Sequence, residues 1–132
     1  MRNNPQLNTF LIITILLLET PAFTRDNSTQ LYKQAVEIAR KGEIDASIEA
    51  FKKVIKVSPY YSLGHYGLGK AYLYKEGMLK EAIKHLELSV QYDHSLSKGY
   101  FYLGIAYMLS KKYEPAINAF LDTKHLFHQF IQ

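Results

Sequence analysis

Cysteine is absent from this chain of 132 residues. Its absence excludes disulfides, thiolate metal sites, cysteine nucleophiles and a lipidated cysteine near the amino terminus, but it leaves the cellular compartment open. A run of basic residues is absent too: the net charge is +4, yet the lysines occur only in short pairs such as Lys52-Lys53 and Lys111-Lys112. Because no stretch of positive charge can follow a phosphate backbone, we expect no nucleic-acid partner.

Tryptophan is also missing, and the aromatic content of 14% comes from 11 tyrosines and 7 phenylalanines. Tyrosine joins an apolar ring to a polar hydroxyl, so it suits half-buried surfaces and binding grooves. With 48% hydrophobic and 21% charged residues, the composition is that of an ordinary globular protein rather than a disordered one. The length predicts a single domain with a core of moderate size.

The first 24 residues belong to a different class of sequence from the rest. A positively charged start at Arg2 precedes the apolar run Phe10–Leu18, which only Thr14 interrupts. Its nine residues fit the core of a signal peptide, about 7–15 residues, and are too few for the roughly 20 that a membrane-spanning helix needs. Residues 1–24 are therefore predicted to be an export signal, and the mature protein is expected to be periplasmic or secreted.

The cleavage site is left open between two positions, after Ala22 and after Thr24, because small residues precede both. The alternative to cleavage is an anchor over residues 7–23, and contact with a membrane is expected only in that case. The polar residues 25–27 are a predicted linker.

A repeated unit begins after the linker. Its copies start near Ser28, Ser62 and Ser97, so the period is 34 and then 35 residues. The recurring positions are Leu31, Gln34, Ala35, Ile38, Ser47, Phe51 and Pro59 in the first copy; His65, Leu68, Gly69, Tyr72, Ala82 and Leu86 in the second; and Tyr100, Leu103, Gly104, Tyr107, Ala116 and Phe120 in the third.

These positions resemble the tetratricopeptide repeat (TPR), whose pattern is W-x2-L-G-x2-Y, then A-x3-F, then P. No copy has tryptophan at the opening position, where Leu31, His65 and Tyr100 stand, and proline closes only the first copy, as Pro59. The resemblance covers about four fifths of the chain. It implies an all-α solenoid of three TPR helix-turn-helix pairs, with residues 28–61, 62–96 and 97–132 as the three units.

The sizes of the side chains support the same fold. Ala35, Gly69 and Gly104 remove bulk where a second helix must approach closely. Gly42 and Gly77 lie at corners between helices, where a positive φ is expected. One helix pair cannot bury its apolar face alone, so three stacked pairs are expected to form a continuous core.

By resemblance to the TPR family, the first helix of each pair lines the concave face of the stack. Residues of these helices outside the packing stripe form an aromatic, apolar surface with a few cations, which suits an extended or helical peptide. The alternative is that some of these rings simply cover neighbouring helices. The predicted groove residues are Tyr32, Val36, Tyr66, Gly67, Lys70, Tyr74, Lys98, Phe101, Tyr102, Ile105 and Met108.

Two details bear on the ligand of this groove. Glycine inside a helix costs up to about 1 kcal/mol relative to alanine, so Gly67 is predicted to open a notch for a ligand, whereas Gly64 has no evident reason to be glycine. Chaperone-binding members of the family hold a C-terminal carboxylate with lysine and asparagine side chains, and among the matching positions only Lys98 carries such a residue. A chaperone-tail adaptor is therefore not expected.

The final helix offers a second candidate surface. Solenoids need a polar cap over the last unit, and no further helix is predicted to cover this one. An exposed apolar patch of this kind marks an interface. The alternative is that the aromatic side chains fold back on the last helix pair. The predicted interface residues are Ile117, Leu121, Phe127, Phe130 and Ile131.

Catalytic chemistry is not predicted. His125 and His128 lie one turn apart, but the sequence supplies no clear third ligand to complete a metal site. We therefore expect no cofactor, no metal and no enzyme activity. The leading hypothesis is an interaction module that binds a protein or peptide partner in the concave groove. The competing hypothesis is a structural subunit or homo-oligomer that assembles through the final helix.

Overall fold

The structure, a computed structural model, describes residues 27–131. The predicted signal segment, residues 1–24, and its two candidate cleavage sites lie outside this range. The regular structure of residues 27–131 consists of six α-helices. They are α1 (27–40), α2 (Ile44–Val57), α3 (Ser62–Leu73), α4 (Leu79–Tyr92), α5 (Ser97–Leu109) and α6 (Tyr113–Ile131).

The helices pack in sequential pairs, as the predicted all-α solenoid requires. The contacts of α3 with α4 and of α5 with α6 are the most extensive, and the contacts of α2 with α3 and of α4 with α5 join one pair to the next. Among α2–α6, almost every contact is therefore between neighbours in the chain, which is the arrangement of a stacked repeat.

Two groups of buried side chains form the core. The first core cluster joins the first two helix pairs and contains Ala35, Ile48, Phe51, Leu68, Ala71, Tyr72 and Ala82. The second core cluster joins the last two pairs and contains Tyr66, Ile83, Leu86, Val90, Leu96, Leu103, Ala106 and Ala119. Because α3 and α4 contribute to both clusters, the middle pair holds the stack together.

Small residues allow the paired helices to approach, as the sequence predicts. A Cβ atom on Gly69 would lie 2.7 Å from Cγ of Leu86, and one on Gly104 would lie 2.6 Å from Cε1 of Phe120. Gly64, which the sequence left unexplained, has a similar role between pairs, because its Cβ would lie 3.0 Å from side-chain atoms of Val54. These positions take glycine because a neighbouring side chain uses the space.

The corners within the pairs confirm the prediction of positive φ. Gly42 has a φ of +80° and Gly77 a φ of +77°. The third corner has Lys111 instead, with a φ of 60°. The amide of Lys111 donates to the Met108 carbonyl and that of Lys112 to the Tyr107 carbonyl, which is the Schellman ending of a helix. The third corner thus reaches a positive φ without glycine.

Candidate functional site

A cavity of about 540 Å³ lies between the first helices of the units and the start of α2. We call it the concave groove. Aromatic and aliphatic side chains dominate its wall, with three cations among them. Its lining residues are Tyr32, Val36, Ala39 and Arg40 of α1; Gly42 of the first corner; Ile44, Ser47 and Phe51 of α2; Tyr66, Gly67, Lys70 and Ala71 of α3 with the adjoining Tyr74; and Lys98 of α5.

The structure brings together seven of the eleven predicted groove residues in this cavity. They are Tyr32, Val36, Tyr66, Gly67, Lys70, Tyr74 and Lys98. The other four, all on α5, lie outside the lining. Phe101 and Met108 are exposed, with 45% and 53% of their surface accessible, while Tyr102 and Ile105 are half-buried. The predicted residues of α1 and α3, with Tyr74 and Lys98, thus line a cavity, and the other four form a partly exposed apolar face of α5.

Gly67 does not open a notch for a ligand, and that prediction is wrong. A Cβ atom placed on Gly67 would come within 2.2 Å of Cε1 of Phe51. The ring of Phe51 therefore occupies the space that the missing side chain leaves. Gly67 still lines the groove, but through its backbone, and its side-chain position serves the packing of α2 on α3.

At the α3–α5 side of the groove, a lysine of each helix contacts a tyrosine ring of the other. The Nζ of Lys70 lies 4.6 Å from the ring centroid of Tyr102, and the Nζ of Lys98 lies 5.0 Å from that of Tyr66. The two rings meet edge to face with their centroids 5.8 Å apart. Cation–π contacts of this kind hold the ammonium groups in place without neutralising them.

The charges of these lysines are not balanced by ion pairs. Within residues 27–131 the ion pairs are Arg40 with Glu37, Lys52 with Glu49, and Lys75 with Asp45. Neither Lys70 nor Lys98 belongs to one of them. The groove therefore carries two cations that a bound carboxylate can neutralise.

The hydroxyls of Tyr32 and Tyr66 in the groove stay protonated at physiological pH. Burial, followed by the neighbouring Tyr66 and Tyr61, raises the pKa of Tyr32 to about 12. Burial likewise raises the pKa of Tyr66. Neutral phenols present both a donor and an acceptor. These hydroxyls can therefore hydrogen-bond either polar group of a peptide backbone.

No family model matches the chain, and no curated protein matches it. Solved structures do. The second TPR domain of Spaghetti (RPAP3), bound to the HSP90 peptide SRMEEVD, is 21% identical with a TM-score of 0.71, over 75% of this chain and 91% of that one. The protein has the tetratricopeptide-repeat fold.

Two other TPR-like structures are similar to the same extent. The type III secretion translocator chaperone SycD of Yersinia enterocolitica is 19% identical with a TM-score of 0.71, over 78% of this chain and 77% of that one. MamA is 21% identical with a TM-score of 0.71, over 86% of this chain and 63% of that one. At these identities the likeness establishes the fold, and it supports the resemblance that the repeat positions indicate.

Within the TPR fold, the sequence missed the contribution of α2 to the groove. Ile44 and Phe51 line the cavity although they belong to a second helix, as does Ser47. The sequence does contain an indication of the role of Phe51, because a large residue on α2 and a glycine on α3, Gly67, can pack against each other. Recognising it requires the relative register of α2 and α3, which the repeat pattern alone does not supply.

The outer surface of the last TPR unit is apolar over much of its length. The predicted interface residues of α6 are all exposed, from 48% for Leu121 to 89% for Phe130. Ile117, Phe127 and Ile131 fall between these values. Within residues 27–131 no other element covers them, and the aromatic side chains do not fold back on the last pair.

Residues 27–131 contain neither a metal-binding cluster nor a membrane-spanning helix. No group of three or more histidine, aspartate or glutamate side chains is placed to hold a metal ion there. None of the helices α1–α6 is long and apolar enough to cross a membrane.

Proposed function

We propose that the protein is a non-enzymatic interaction module that binds a peptide or protein segment in the concave groove. The observation that carries this proposal is the cavity of about 540 Å³, whose wall combines tyrosine rings, aliphatic side chains and two lysines without acidic partners. Apolar walls with a few placed polar groups are typical of binding sites. The Spaghetti domain, which has the same fold, is seen with a bound peptide.

The groove favours a segment that combines an apolar side chain with a carboxylate. Tyr32, Val36 and Ile44 provide the apolar part of the wall, and Lys70 and Lys98 provide the positive charge. Such a segment gains from apolar burial and from a charge-assisted hydrogen bond. Because the lysines already contact Tyr66 and Tyr102, the segment finds them preorganised.

The test uses a displayed library of random peptides as the probe, selected on the immobilised protein. Tyr66 is unsuitable for substitution, because it belongs to the second core cluster and is only 8% exposed. Tyr74→Ala combined with Lys98→Ala removes two exposed groove residues instead. The matched control is Tyr113→Ala combined with Lys124→Ala, which removes the same residue types from α6.

We expect selected peptides to bind the wild type and the control equally and the groove variant at least tenfold more weakly. Circular dichroism and thermal melting of both variants should match the wild type. Equal binding to the groove variant would show that the selected peptides bind elsewhere, and the groove assignment would fail.

A second candidate function is assembly through the α6 face, favoured by its exposure. Phe130 and Ile131 expose 89% and 75% of their surface, and Phe127 exposes 63%. Sedimentation equilibrium at high micromolar concentration distinguishes self-association from a monomer. Phe127→Glu with Phe130→Glu should dissociate an oligomer, whereas Tyr60→Glu, at another exposed aromatic residue, should not. A monomeric wild type contradicts self-association.

The predicted export of the protein stays a proposal as well. The apolar run Phe10–Leu18 supports it through its length. Mass spectrometry of the chain recovered outside the cytoplasm would give a mass that begins at Phe23 or at Arg25 if the signal is cut. An intact mass in the membrane fraction would instead support the anchor over residues 7–23.

A further inference from the structure

Two histidines from different helices meet inside the middle unit. His65 of α3 and His85 of α4 place their Nδ1 atoms 3.0 Å apart, and their rings meet edge to edge, nearly parallel at an angle of 21° with centroids 5.2 Å apart. The ring of Tyr92 contacts His65 edge to face, and the ring of Tyr72 contacts His85. His65 is 5% exposed. The pair is therefore enclosed by aromatic rings on both sides.

The hydrogen bonds define which nitrogen carries each proton. Nε2 of His65 lies 2.7 Å from the carbonyl oxygen of Pro59, which can only accept, so this nitrogen carries the hydrogen. A neutral His65 then has a lone pair on Nδ1. Nδ1 of His85 must donate to that lone pair, because two lone pairs cannot bond. The turn before α3, helix α3 and helix α4 are thus joined through one chain of hydrogen bonds.

This chain of hydrogen bonds stays intact with one additional proton but not with two. A first proton can enter at Nε2 of His85, which leaves the bond between the two Nδ1 atoms intact. A second must enter at Nδ1 of His65, where it removes the acceptor and puts two cations in adjacent rings. Like charges at this distance repel strongly in a partly buried site.

We propose that the His65–His85 pair is an acid-sensitive latch, which holds the turn before α3, helix α3 and helix α4 together when both rings are neutral. The first proton weakens the folded state by placing a cation among the buried rings, and the second breaks the bond between the two Nδ1 atoms. Releasing the latch weakens the middle unit first, because the pair lies between α3 and α4. The groove residue Tyr66 follows His65 directly in α3, so the groove wall is next to the latch.

The charged and titratable groups around the pair favour the neutral state. Burial, then the neighbouring His65 and Lys84, lower the pKa of His85 to about 4, against a smaller opposing effect of Glu81 on the same helix. Burial also lowers the pKa of His65, although the bond to Pro59 opposes this.

The remaining titratable neighbours do not offset this preference. On α4 and α3 the rings of Tyr92 and Tyr72 contact the pair, and Lys52 of α2 interacts electrostatically with Tyr72. Within residues 27–131 no carboxylate forms an ion pair with either histidine. The effects of Glu81 and of the Pro59 carbonyl, which favour the charged form, are therefore outweighed by burial.

The direction of the pH dependence follows from these shifts. Both histidines bind protons more weakly in the folded state than in the unfolded state, whose histidine pKa is about 6.5. The unfolded state therefore takes up more protons as the pH falls below about 6.5. Stability is expected to decrease from there towards the folded pKa of His85, about 4.

The first experiment follows the five histidine rings of the wild type by NMR between pH 8 and 4. His94, His125 and His128 are exposed and provide internal references. We expect the signals of His65 and His85 to titrate at lower pH than these three. If all five histidines titrate together, the latch does not exist. This measurement needs no variant, so it decides even where a variant fails to fold.

The second experiment compares thermal unfolding at pH 7.5 and pH 5 for the wild type, His85→Phe and His128→Phe. Phenylalanine keeps an aromatic ring at position 85 but cannot take a proton. The loss of melting temperature on acidification should be at least halved in His85→Phe and unchanged in His128→Phe. Hydrogen-exchange protection of α3 and α4 should also fall before that of α6. An equal loss in all three proteins overturns the proposal.

Discussion

Helices α3 and α5 occupy equivalent places in consecutive units, yet their surroundings differ. Both carry the same recurring positions, Leu68 and Leu103, Gly69 and Gly104, Tyr72 and Tyr107. In α3, eight of its twelve residues are buried, whereas in α5 only four of thirteen are. The difference comes from the neighbours, because α3 lies between α1 and α5, whereas α5 has α3 on one side and within residues 27–131 no further helix on the other.

The repeat pattern therefore determines the fold of a unit but not the use of its surface. The shared leucine and glycine positions form the same contacts in both units. Positions outside the pattern follow their surroundings. Gly67 of α3 accommodates Phe51, while the equivalent Tyr102 of α5 braces Lys70. Position 67 of the interior helix thus serves packing, whereas the equivalent position 102 of α5 contacts a lysine of the groove.

The largest effect is expected from emptying the interior of the middle unit. Leu86 is fully buried in the second core cluster, at 0% exposure. Leu86→Ala should lower the free energy of unfolding by about 2–5 kcal/mol, because it removes apolar contacts and leaves a cavity. Leu121→Ala, on the exposed face of α6, should change it by less than about 0.5 kcal/mol. Urea denaturation measures both, and similar losses would contradict the difference between the units.

A smaller but sharper effect is expected at Gly67. Gly67→Ala places a methyl group against the Phe51 ring and should cost about 1–3 kcal/mol, as overpacked cores do. In the second unit Leu86 stands at the position of Phe51, and in the third unit Tyr102 stands at the position of Gly67. Phe51→Leu in the Gly67→Ala background should therefore restore part of the lost stability. If the second substitution only adds to the loss, Phe51 is not what requires glycine here.

Much of the fold was predictable from the sequence for a physical reason. The small residues at 69 and 104 and the corner glycines at 42 and 77 have requirements that a repeat of 34 to 35 residues makes visible. Each of these requirements is set within one helix pair. A pattern read along the chain is therefore enough to identify them.

The candidate site was predictable only in part, because it depends on contacts between units. The sequence placed Tyr32, Lys70 and Lys98 in the groove, and the structure brings them to one cavity. It misread Gly67, whose partner Phe51 lies in another unit. It also gave no indication that His65 and His85, twenty residues apart, share a hydrogen bond. These contacts depend on how far one helix is shifted along its neighbour. The binding role of the groove residues stays a prediction until the peptide experiment is done.

The tyrosine that closes the pattern of the first helix in each of these two units should respond differently to removal of its hydroxyl. The hydroxyl of Tyr107 donates to a carboxylate oxygen of Glu87 at 2.5 Å, joining α5 to α4, and burial, followed by this bond, raises the pKa of Tyr107. Tyr107→Phe should cost about 1 kcal/mol, the net value of a typical hydrogen bond. Tyr72→Phe is the matched control, because the ring contact of Tyr72 with His85 does not need the hydroxyl.

The same bond predicts a response to alkali. The folded state keeps the Tyr107 proton more tightly than the unfolded state, whose tyrosine pKa is about 10, so the stabilisation is lost as the pH rises above that value. The difference in free energy of unfolding between the wild type and Tyr107→Phe should therefore be smaller at pH 10.5 than at pH 8, as measured by denaturation curves. A constant difference at both pH values would show that the hydroxyl proton is not held in the folded state.

The smallest effect is expected at the corners of the two units, where one substitution should raise the stability instead of lowering it. Gly77 turns the corner of the middle unit with a φ of +77°, and Lys111 turns that of the last unit with a φ of 60°. A left-handed conformation costs a residue with a side chain roughly 1–2 kcal/mol more than glycine. Lys111→Gly should therefore stabilise the protein, by about 0.5–1 kcal/mol once the greater freedom of glycine in the unfolded chain is subtracted. The reverse change, Gly77→Lys, should destabilise it by a similar amount, and Lys112→Gly, one residue away without a positive φ, should not stabilise it.

Thermal melting of the three variants measures this directly. A loss of stability in Lys111→Gly would mean that the lysine side chain contributes more to the last corner than its backbone costs.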